Sequence, residues 1–432
     1  MRPARRFAIL SLLWLAPAGL PAQTVAGGAR AAGLSDAHGA LARGPAAALV
    51  NPANLGLPGN PTAALQLPAM SLAGSAHPIG LGEIAAYSNA VLPRPVREAW
   101  LARIPAGGAF HAAAALDLEV VGLSLGPIAV TASQIAEASA TVPRDAVKLL
   151  FFGNGADGVR HPIDFRRARV DASRVSVVSA AAGLPLRRWD GGRHALAAGL
   201  TAKRVLGHGL LALRDAGADL AAEPGSLDLR FPTVIASDTT RWVQSAGWGV
   251  DAGLAYAGPR VGLGLTVTDL ANTFRWDRGP VTVRDGRAWV TTDDAGLAFT
   301  PLALDDPALD DSVAQVARDL VGAARFRPSA RLALAWRPAA RLSLTSDLVH
   351  RTAQAGAMQA GLRTTWSIGA ETTVLRWLPL RAGSSLGAGE LGWSAGAGLR
   401  LGPVALDGAV GRRAAPTSGE PFGAASLTIG WR

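Results

Sequence analysis

The stretch that decides the fold reads WGVDAGLAY and covers residues 248–256. Large apolar residues fall mostly at every second position from Trp248 to Tyr256, and glycine, alanine and one aspartate lie between them. Because successive side chains of a β-strand point to opposite faces, this segment has one apolar and one polar surface. Similar segments recur from about residue 172 onward. A soluble β-sandwich uses the same alternation, but a secreted chain with many such strands can also turn its apolar faces to lipid, as a transmembrane β-barrel does.

The first 22 residues have the features of a secretory signal peptide. Residues 1–6 carry three arginines, residues 7–15 form an apolar run too short to span a bilayer, and Ala22 offers a small residue for cleavage before Gln23. No later stretch contains ~20 continuous apolar residues, so the sequence predicts no transmembrane helix. After cleavage of the signal peptide, we therefore expect the mature chain to be either periplasmic or inserted as a barrel in the outer membrane of a Gram-negative-type bacterium.

Composition favours the barrel over the soluble sandwich. Only 17% of residues are charged, below the roughly 25% of soluble domains, and the 51 glycines suit a curved sheet with small inward side chains. The absence of cysteine excludes disulfides, thiolate metal sites and cysteine nucleophiles. The formal charge is +10, but the arginines are dispersed, and Lys148 and Lys203 are the only lysines. A nucleic-acid footprint would be clustered, so no nucleic-acid partner is expected.

After the signal peptide, the chain divides into two parts. Residues 23–60 do not alternate and are rich in alanine, glycine, proline and asparagine, which predicts a compact, turn-filled segment. Residues 61–432 contain the candidate strands, from which we expect an all-β, antiparallel transmembrane barrel of about 14 strands. The candidates lie near residues 62–73, 79–88, 111–125, 127–134, 172–184, 194–206, 246–257, 259–270, 281–290, 293–301, 328–337, 340–350, 361–375, 379–388, 390–401, 403–412 and 422–432.

Tight turns alternate with longer connections, which predicts short periplasmic turns and long external loops. The longer connections are 89–110, 135–171, 207–245 and 302–327. Two of them carry signals of a short loop helix, one at 143–152 and one that begins after Asp306-Pro307, with Asp306 as its cap. We expect these helices to cover the rim of the barrel, and a gating role is the alternative.

Charged residues of the predicted strands fall opposite the apolar face. A lysine or arginine facing lipid at mid-bilayer would cost about 2–4 kcal/mol, so these charges are expected to face the lumen. There they can pair across strands and brace the barrel, or they can form a polar path or line a substrate site. The predicted lumen-facing charges are Asp251, Asp269, Arg331, Arg341, Asp347, Arg363, Glu371, Arg400 and Asp407.

Two short strings resemble catalytic or cofactor motifs. Residues 392–396 match the Gly-x-Ser-x-Gly pattern around Ser394, but this motif requires a strand, a sharp turn and a helix, and the flanking residues simply continue the alternation. Residues 387–392 match a dinucleotide fingerprint but precede a strand, so they predict a hairpin turn. The histidines show no metal-ligand spacing. The sequence therefore predicts no enzymatic activity, no cofactor and no transition-metal site.

The N-terminal part of the mature chain carries a family resemblance. Residues 28–37 read GARAAGLSDA, and Asn51, Pro52 and Ala53 follow shortly after. This pattern resembles the start of the FadL/PorV-like outer-membrane barrels, which include FadL-type transporters of hydrophobic compounds and PorV- or TraF-like relatives. The resemblance implies a fourteen-stranded barrel with an N-terminal plug formed by residues 23–60, in which Asn51, Pro52 and Ala53 belong to the plug motif.

The resemblance also implies a function. The leading expectation is passive transport of hydrophobic small molecules, such as long-chain fatty acids, by a monomer surrounded by outer-membrane lipid. The alternative is a PorV-like envelope component that does not transport and instead docks a secretion or assembly partner. Fold resemblance alone does not choose between these roles.

Overall fold

In the computed structural model, the described residues are 28–88, 90–153, 167–214, 227–236, 241–290, 295–352, 364–387, 390–414 and 420–431. Seventeen strands in this part of the chain form one antiparallel sheet. They are β1 Ala63–His77, β2 Ala109–Leu125, β3 Ile128–Pro143, β4 Arg169–Trp189, β5 His194–Arg214, β6 Leu227–Ala236, β7 Ser245–Ala257, β8 Val261–Asn272, β9 Val281–Val290, β10 Ala295–Ala303, β11 Ser329–Ala339, β12 Leu342–Arg351, β13 Thr364–Leu375, β14 Leu378–Gly387, β15 Glu390–Leu401, β16 Val404–Arg413 and β17 Glu420–Trp431.

The helices of the described residues are short. They are α1 Gly28–Ala32, α2 Pro45–Val50, a 3-10 helix Pro52–Gly56, α3 Leu81–Ala86, α4 Arg94–Arg103, α5 Arg144–Phe152 and α6 Asp311–Ala323. No helix in these ranges is both long enough and apolar enough to cross a membrane.

Fourteen of the strands close into a barrel. The ring runs β1 to β5, then β7, β8 and β11 to β17, and it closes because β1 pairs with both β2 and β17. The other three strands form an extension of this ring: β10 pairs with β9, β9 pairs with β6, and β6 pairs with the C-terminal part of β5. The predicted antiparallel barrel of about 14 strands is therefore confirmed.

The two ends of the barrel differ. Tight turns such as those before β3 and β16 lie at one end, called here the turn end, whereas α3 to α6 and the three-stranded extension lie at the other, called the loop end. Some strands are longer than predicted, and β4 and β5 have 21 residues each. At their loop ends these strands lose the alternation of large apolar and small residues. The predicted strands, which rest on that alternation, are therefore shorter than the observed ones.

Two sequence predictions at the loop end are wrong. Residues 79–88, predicted as a strand, contain α3, which begins after Gly80, whose backbone N–H donates to the carboxylate of Glu83. The predicted helix after Asp306 begins later, because Asp310 is its cap and accepts a hydrogen bond from the Ser312 amide at 2.8 Å. Asp306 instead accepts from Ala308 in a preceding turn. The helix predicted at 143–152 is confirmed as α5.

The outer wall is apolar and is bordered by tryptophans. Large exposed apolar side chains of the strands face outward, among them Leu200, Leu254, Leu263, Leu265, Leu332, Leu348, Ile368 and Leu406. Trp189, Trp336, Trp377 and Trp431 lie near the turn end, and Trp242, Trp248, Trp366 and Trp393 near the loop end. Trp248 and Tyr256 are eight residues apart on β7, ~27 Å along the strand. With a strand tilt of about 35–45°, this corresponds to roughly 20 Å across the membrane, a little less than the apolar band of about 25 Å that lies between two aromatic girdles.

A charge on the lipid-facing wall should block insertion. Leu265, 46% exposed, lies near the middle of β8 on the outer face. Leu265→Arg should therefore cost about 2–4 kcal/mol and sharply reduce the folded fraction, measured by heat-modifiable electrophoresis after folding into lipid vesicles. Val91→Arg is the control, because Val91 is 91% exposed in the connection between α3 and α4. Equal folding of both variants would contradict the lipid-facing register.

Candidate functional site

The N-terminal segment, residues 28–60, lies inside the ring and contacts opposite walls. α1 packs against β1, β15, β16 and β17, whereas the 3-10 helix packs against β4, β5 and β7. No residue from 28 to 57 is exposed. The segment therefore runs between opposite walls of the ring.

The 3-10 helix rests on three glycines of the inner wall. Gly183 of β4 is directly opposite Gly199 of β5, which is opposite Gly253 of β7. A Cβ atom at Gly199 would overlap the backbone of Pro52 and Ala53, and one at Gly183 would overlap the backbone of the same helix. These three residues, named here the glycine shelf, let the helix backbone approach the strands directly, which side chains would prevent.

Asn51 fixes the segment to the shelf. It is fully buried, and its side-chain oxygen accepts a hydrogen bond from the Ala53 amide at 3.1 Å, which caps the 3-10 helix. Its side-chain nitrogen donates to the Leu254 carbonyl of β7, also at 3.1 Å. Pro52 occupies the first helical position, where its missing N–H has no cost. The motif Asn51, Pro52 and Ala53 thus joins a helix cap to a barrel strand.

The opposite wall holds the segment at Leu34 and Ser35. A Cβ at Gly383 of β14 would overlap the backbone of these two residues. The Ser35 hydroxyl lies 2.8 Å from the hydroxyl of Ser394 in β15. Ser394 is 4% exposed within a continuous strand, so the turn and helix that a nucleophile motif requires do not follow it.

A buried charge cluster joins the segment to strands β13, β14 and β16. Arg381 donates to Glu371 at 2.6 Å and to Asp407 at 2.7 Å. Arg30 of the segment donates to both oxygens of Glu371, at 2.9 and 2.7 Å. The Arg381 side chain is completely buried, and the carboxylates are about as well covered. Each charge is compensated, so the cluster braces the wall and holds the segment at once.

Two further clusters involve the predicted charges. Asp347 accepts from Arg331 at 2.6 Å and from the Gly39 amide of the segment at 2.9 Å. Lys203 pairs with both Asp251 and Asp269 at 2.7 Å. The prediction from the sequence did not include Lys203, Arg30 and Arg381 as members of these clusters. The alternation along β5 was an available signal for Lys203, because it puts this residue on the inward face, where it pairs in register with Gly249.

Two of the predicted charges do not join these clusters, and a third cannot be placed. Arg341 is a correction, because it is exposed in the two-residue turn between β11 and β12, outside the alternating part of either strand. Arg400 is half-buried near the turn end of β15. Arg363 lies outside the described residues.

His38 of the segment is buried without a side-chain partner. It is 2% exposed, and neither ring nitrogen has a hydrogen-bond partner. Burial, together with the nearby guanidinium of Arg30, holds the pKa of His38 well below its usual range; Glu371, Arg381 and Arg331 also act on it. His38 is therefore neutral at physiological pH.

The pKa of His38 predicts an acid-dependent loss of stability. Below pH ~6.5 the unfolded chain takes up a proton that the folded state refuses, so stability falls as pH falls, by about 1.4 kcal/mol per pH unit. His38→Leu removes this titration and loses no side-chain hydrogen bond. The free energy of unfolding by urea should shift in favour of the variant by about 2 kcal/mol between pH 8 and pH 5. A difference that is independent of pH would contradict a neutral, buried His38.

An apolar cluster covers the loop end of the barrel above β4, β5 and β7. Phe274 is fully buried, and a Cβ at Gly247 of β7 would overlap its backbone. Its ring meets that of Trp276 edge to face, with centroids 5.4 Å apart. This apolar mouth cluster consists of Val175, Val177, Val205, Leu210, Ala212, Phe274, Trp276, Val281, Val283, Leu304, Leu309, Ala314, Ala317, Val321 and Ala324.

The fold defines the class of protein as a transmembrane barrel whose N-terminal segment crosses the lumen. No family model and no curated protein matches the sequence. Among solved structures, the Ralstonia pickettii toluene transporter TbuX matches with a TM-score of 0.51 and 14% identity, covering 95% of this chain and 100% of that one. The monoaromatic hydrocarbon channel CymD matches with a TM-score of 0.51 and 12% identity, covering 95% and 99%. The protein therefore has the fold of these channels, as the FadL-like resemblance implied.

Proposed function

We propose that the protein is a passive outer-membrane channel for hydrophobic small molecules, such as monoaromatic hydrocarbons or long-chain fatty acids. The apolar mouth cluster carries this proposal, because a pore for hydrophilic solutes would have a polar entrance. Moving apolar surface from water into such a site gains roughly 25 cal/mol per Å². TbuX and CymD, which share the fold, are described as a toluene transporter and a hydrocarbon channel, which supports the same substrate class.

In this proposal the N-terminal segment is a plug. A solute would enter through the apolar mouth cluster and would reach a lumen that residues 28–57 occupy. Passage therefore requires part of the segment to leave one wall. The segment is held at the glycine shelf and at the charge cluster around Glu371, so passage requires one of these two contacts to break while the other keeps the segment attached.

The docking alternative has no comparable support. The two solved structures compared above are described as a transporter and a channel.

Locking the segment to the wall tests the proposal. The hydroxyls of Ser35 and Ser394 are 2.8 Å apart, so the double variant Ser35→Cys/Ser394→Cys should form a disulfide, whose sulfur atoms are bonded at about 2.0 Å. The natural chain has no cysteine, so this is the only disulfide that can form. Uptake of labelled toluene and of a long-chain fatty acid, by Gram-negative cells that lack their own channel, should fall at least about fivefold when the disulfide forms and recover with reductant.

The single variants Ser35→Cys and Ser394→Cys are the controls, and both should transport in either redox state. Equal uptake in the locked and reduced forms would show that the segment need not leave this wall. No uptake above cells without the protein, for wild type as well, would contradict the channel itself.

Cleavage of the signal peptide and the nature of the partner can each be measured directly. The mature N-terminus at Gln23 can be read by mass spectrometry of the protein extracted from its membrane. Native mass spectrometry of the same sample distinguishes the roles, because a retained hydrophobic molecule on a monomer supports transport. A stoichiometric protein partner without a small ligand supports docking.

A further inference from the structure

The outer wall carries two arginines on the lipid-facing side, near the loop end. Arg174 lies on β4 and Arg204 on β5. The neighbours of Arg174 on β4, Ser173 and Val175, are buried and face inward, so Arg174 itself faces outward and is exposed. Arg204 is in register with Val178 and Trp248, which are 43% and 58% exposed.

Each guanidinium lies over the face of a tryptophan. The central carbon of Arg174 is 4.7 Å from the ring centroid of Trp242, and that of Arg204 is 5.0 Å from the ring centroid of Trp248. Stacking of this kind holds a guanidinium in place while its edge stays available to donate hydrogen bonds. Both tryptophans belong to the girdle at the loop end, where the cost of an arginine facing the bilayer falls toward zero.

His208 holds Trp242 against the wall. This histidine is an extra residue in β5 at an irregularity of the β4–β5 register, and it is 5% exposed. One ring nitrogen lies 2.8 Å from the Trp242 carbonyl, and the other lies 2.7 Å from the Ser176 hydroxyl. Its ring is also 4.8 Å from the Trp242 ring. Trp242 is therefore held in place by His208, although 67% of the tryptophan is exposed.

The described residues provide no carboxylate for either guanidinium. Lys203, which directly precedes Arg204 and faces inward, differs in this respect, because it pairs with Asp251 and Asp269 at 2.7 Å. Cations at the border of the bilayer without an acidic side chain are complementary to the phosphate groups of the surrounding lipid. Phosphate oxygens accept the charge-assisted hydrogen bonds that guanidinium groups donate.

We infer that Arg174, Arg204, Trp242 and Trp248 form a binding site for the phosphate groups of a lipid in the leaflet at the loop end. The site lies on the outside of the barrel, so it is independent of the proposed transport through the lumen. Its ligand is a phosphorylated membrane lipid, held by two guanidinium groups with tryptophan rings beside its acyl chains.

The test compares lipid retention by wild type and by Arg174→Gln/Arg204→Gln in native mass spectrometry. The full-length protein in mild detergent is titrated with lipid A, and with phosphatidylcholine as a lipid without net charge. Wild type should retain lipid A, and the double variant should bind it about tenfold more weakly. Trp242→Ala, which leaves both charges in place, should also weaken retention, because Arg174 loses its support.

The matched control is Arg260→Gln/Arg341→Gln, which removes two exposed positive charges at the turn end. This variant should retain lipid A like wild type. Equal loss in the control would show a general effect of charge, and unchanged retention in the double variant would overturn the site. Inorganic phosphate is added as a competitor. If it displaces bound lipid A as effectively as additional lipid A does, the site binds phosphate without specificity for lipid, which also contradicts the inference. Heat-modifiable migration verifies that each variant is folded.

Discussion

A valine in place of Gly199 should leave little or no folded barrel. The Cβ atom at this position would overlap the backbone of Pro52 and Ala53, and a backbone within a 3-10 helix cannot rotate away as the end of a side chain can. Overpacking of an ordinary core costs about 1–3 kcal/mol, and we expect at least the upper part of that range here. The measurement is the folded fraction by heat-modifiable electrophoresis, together with protease access to the N-terminal segment.

Gly209→Val on the same strand is the matched control. A Cβ atom at Gly209 meets nothing within 4 Å, so this variant should fold like wild type. If Gly199→Val folds as well and protects its N-terminal segment equally, then the segment does not rest on the glycine shelf.

Loss of Arg381 should have an effect of similar size. Arg381→Ala leaves Glu371 and Asp407 buried with less compensation, and removal of one member of a buried charge cluster costs about 3–5 kcal/mol. The free energy of unfolding by urea in lipid vesicles measures this cost. The segment should also become easier to digest, because Arg30 is held through the same Glu371.

Arg94→Ala provides the comparison for an exposed ion pair. Arg94 pairs with Glu98 in α4 at 2.8 Å, with side-chain exposures of 75% and 54%, so its loss should cost less than about 1 kcal/mol. If the Arg381 variant loses no more than this variant does, the buried cluster does not stabilise the barrel.

The sequence predicted the barrel wall best where lipid imposes the alternation. In β7 and β8, outward residues such as Leu254 and Leu265 must be apolar, while Asp251 can only face inward. That requirement ends at the border of the bilayer, which is why the loop-end parts of β4 and β5 were missed. The prediction of a strand at 79–88 failed for the same reason, because that region lies outside the apolar band.

Contacts of the N-terminal segment could not be predicted in this way. The segment was expected as compact from its composition, but its partners are hundreds of residues away, such as Glu371 for Arg30 and Ser394 for Ser35. Alternation reports which face a residue occupies, and it carries no information about which distant residue lies opposite across the lumen. The glycine shelf was hidden because its glycines resemble those that any curved sheet contains.

The position of the N-terminal segment has a consequence for assembly. The segment is made before the barrel strands, yet it touches β4, β5 and β7 as well as β15, β16 and β17, so its last partners are the last of these strands to be synthesised. The final seam, between β1 and β17, must close around a segment that is already inside. A barrel that closed without it would present a finished wall, and a peptide of residues 23–60 supplied afterwards would arrive too late to restore the native structure.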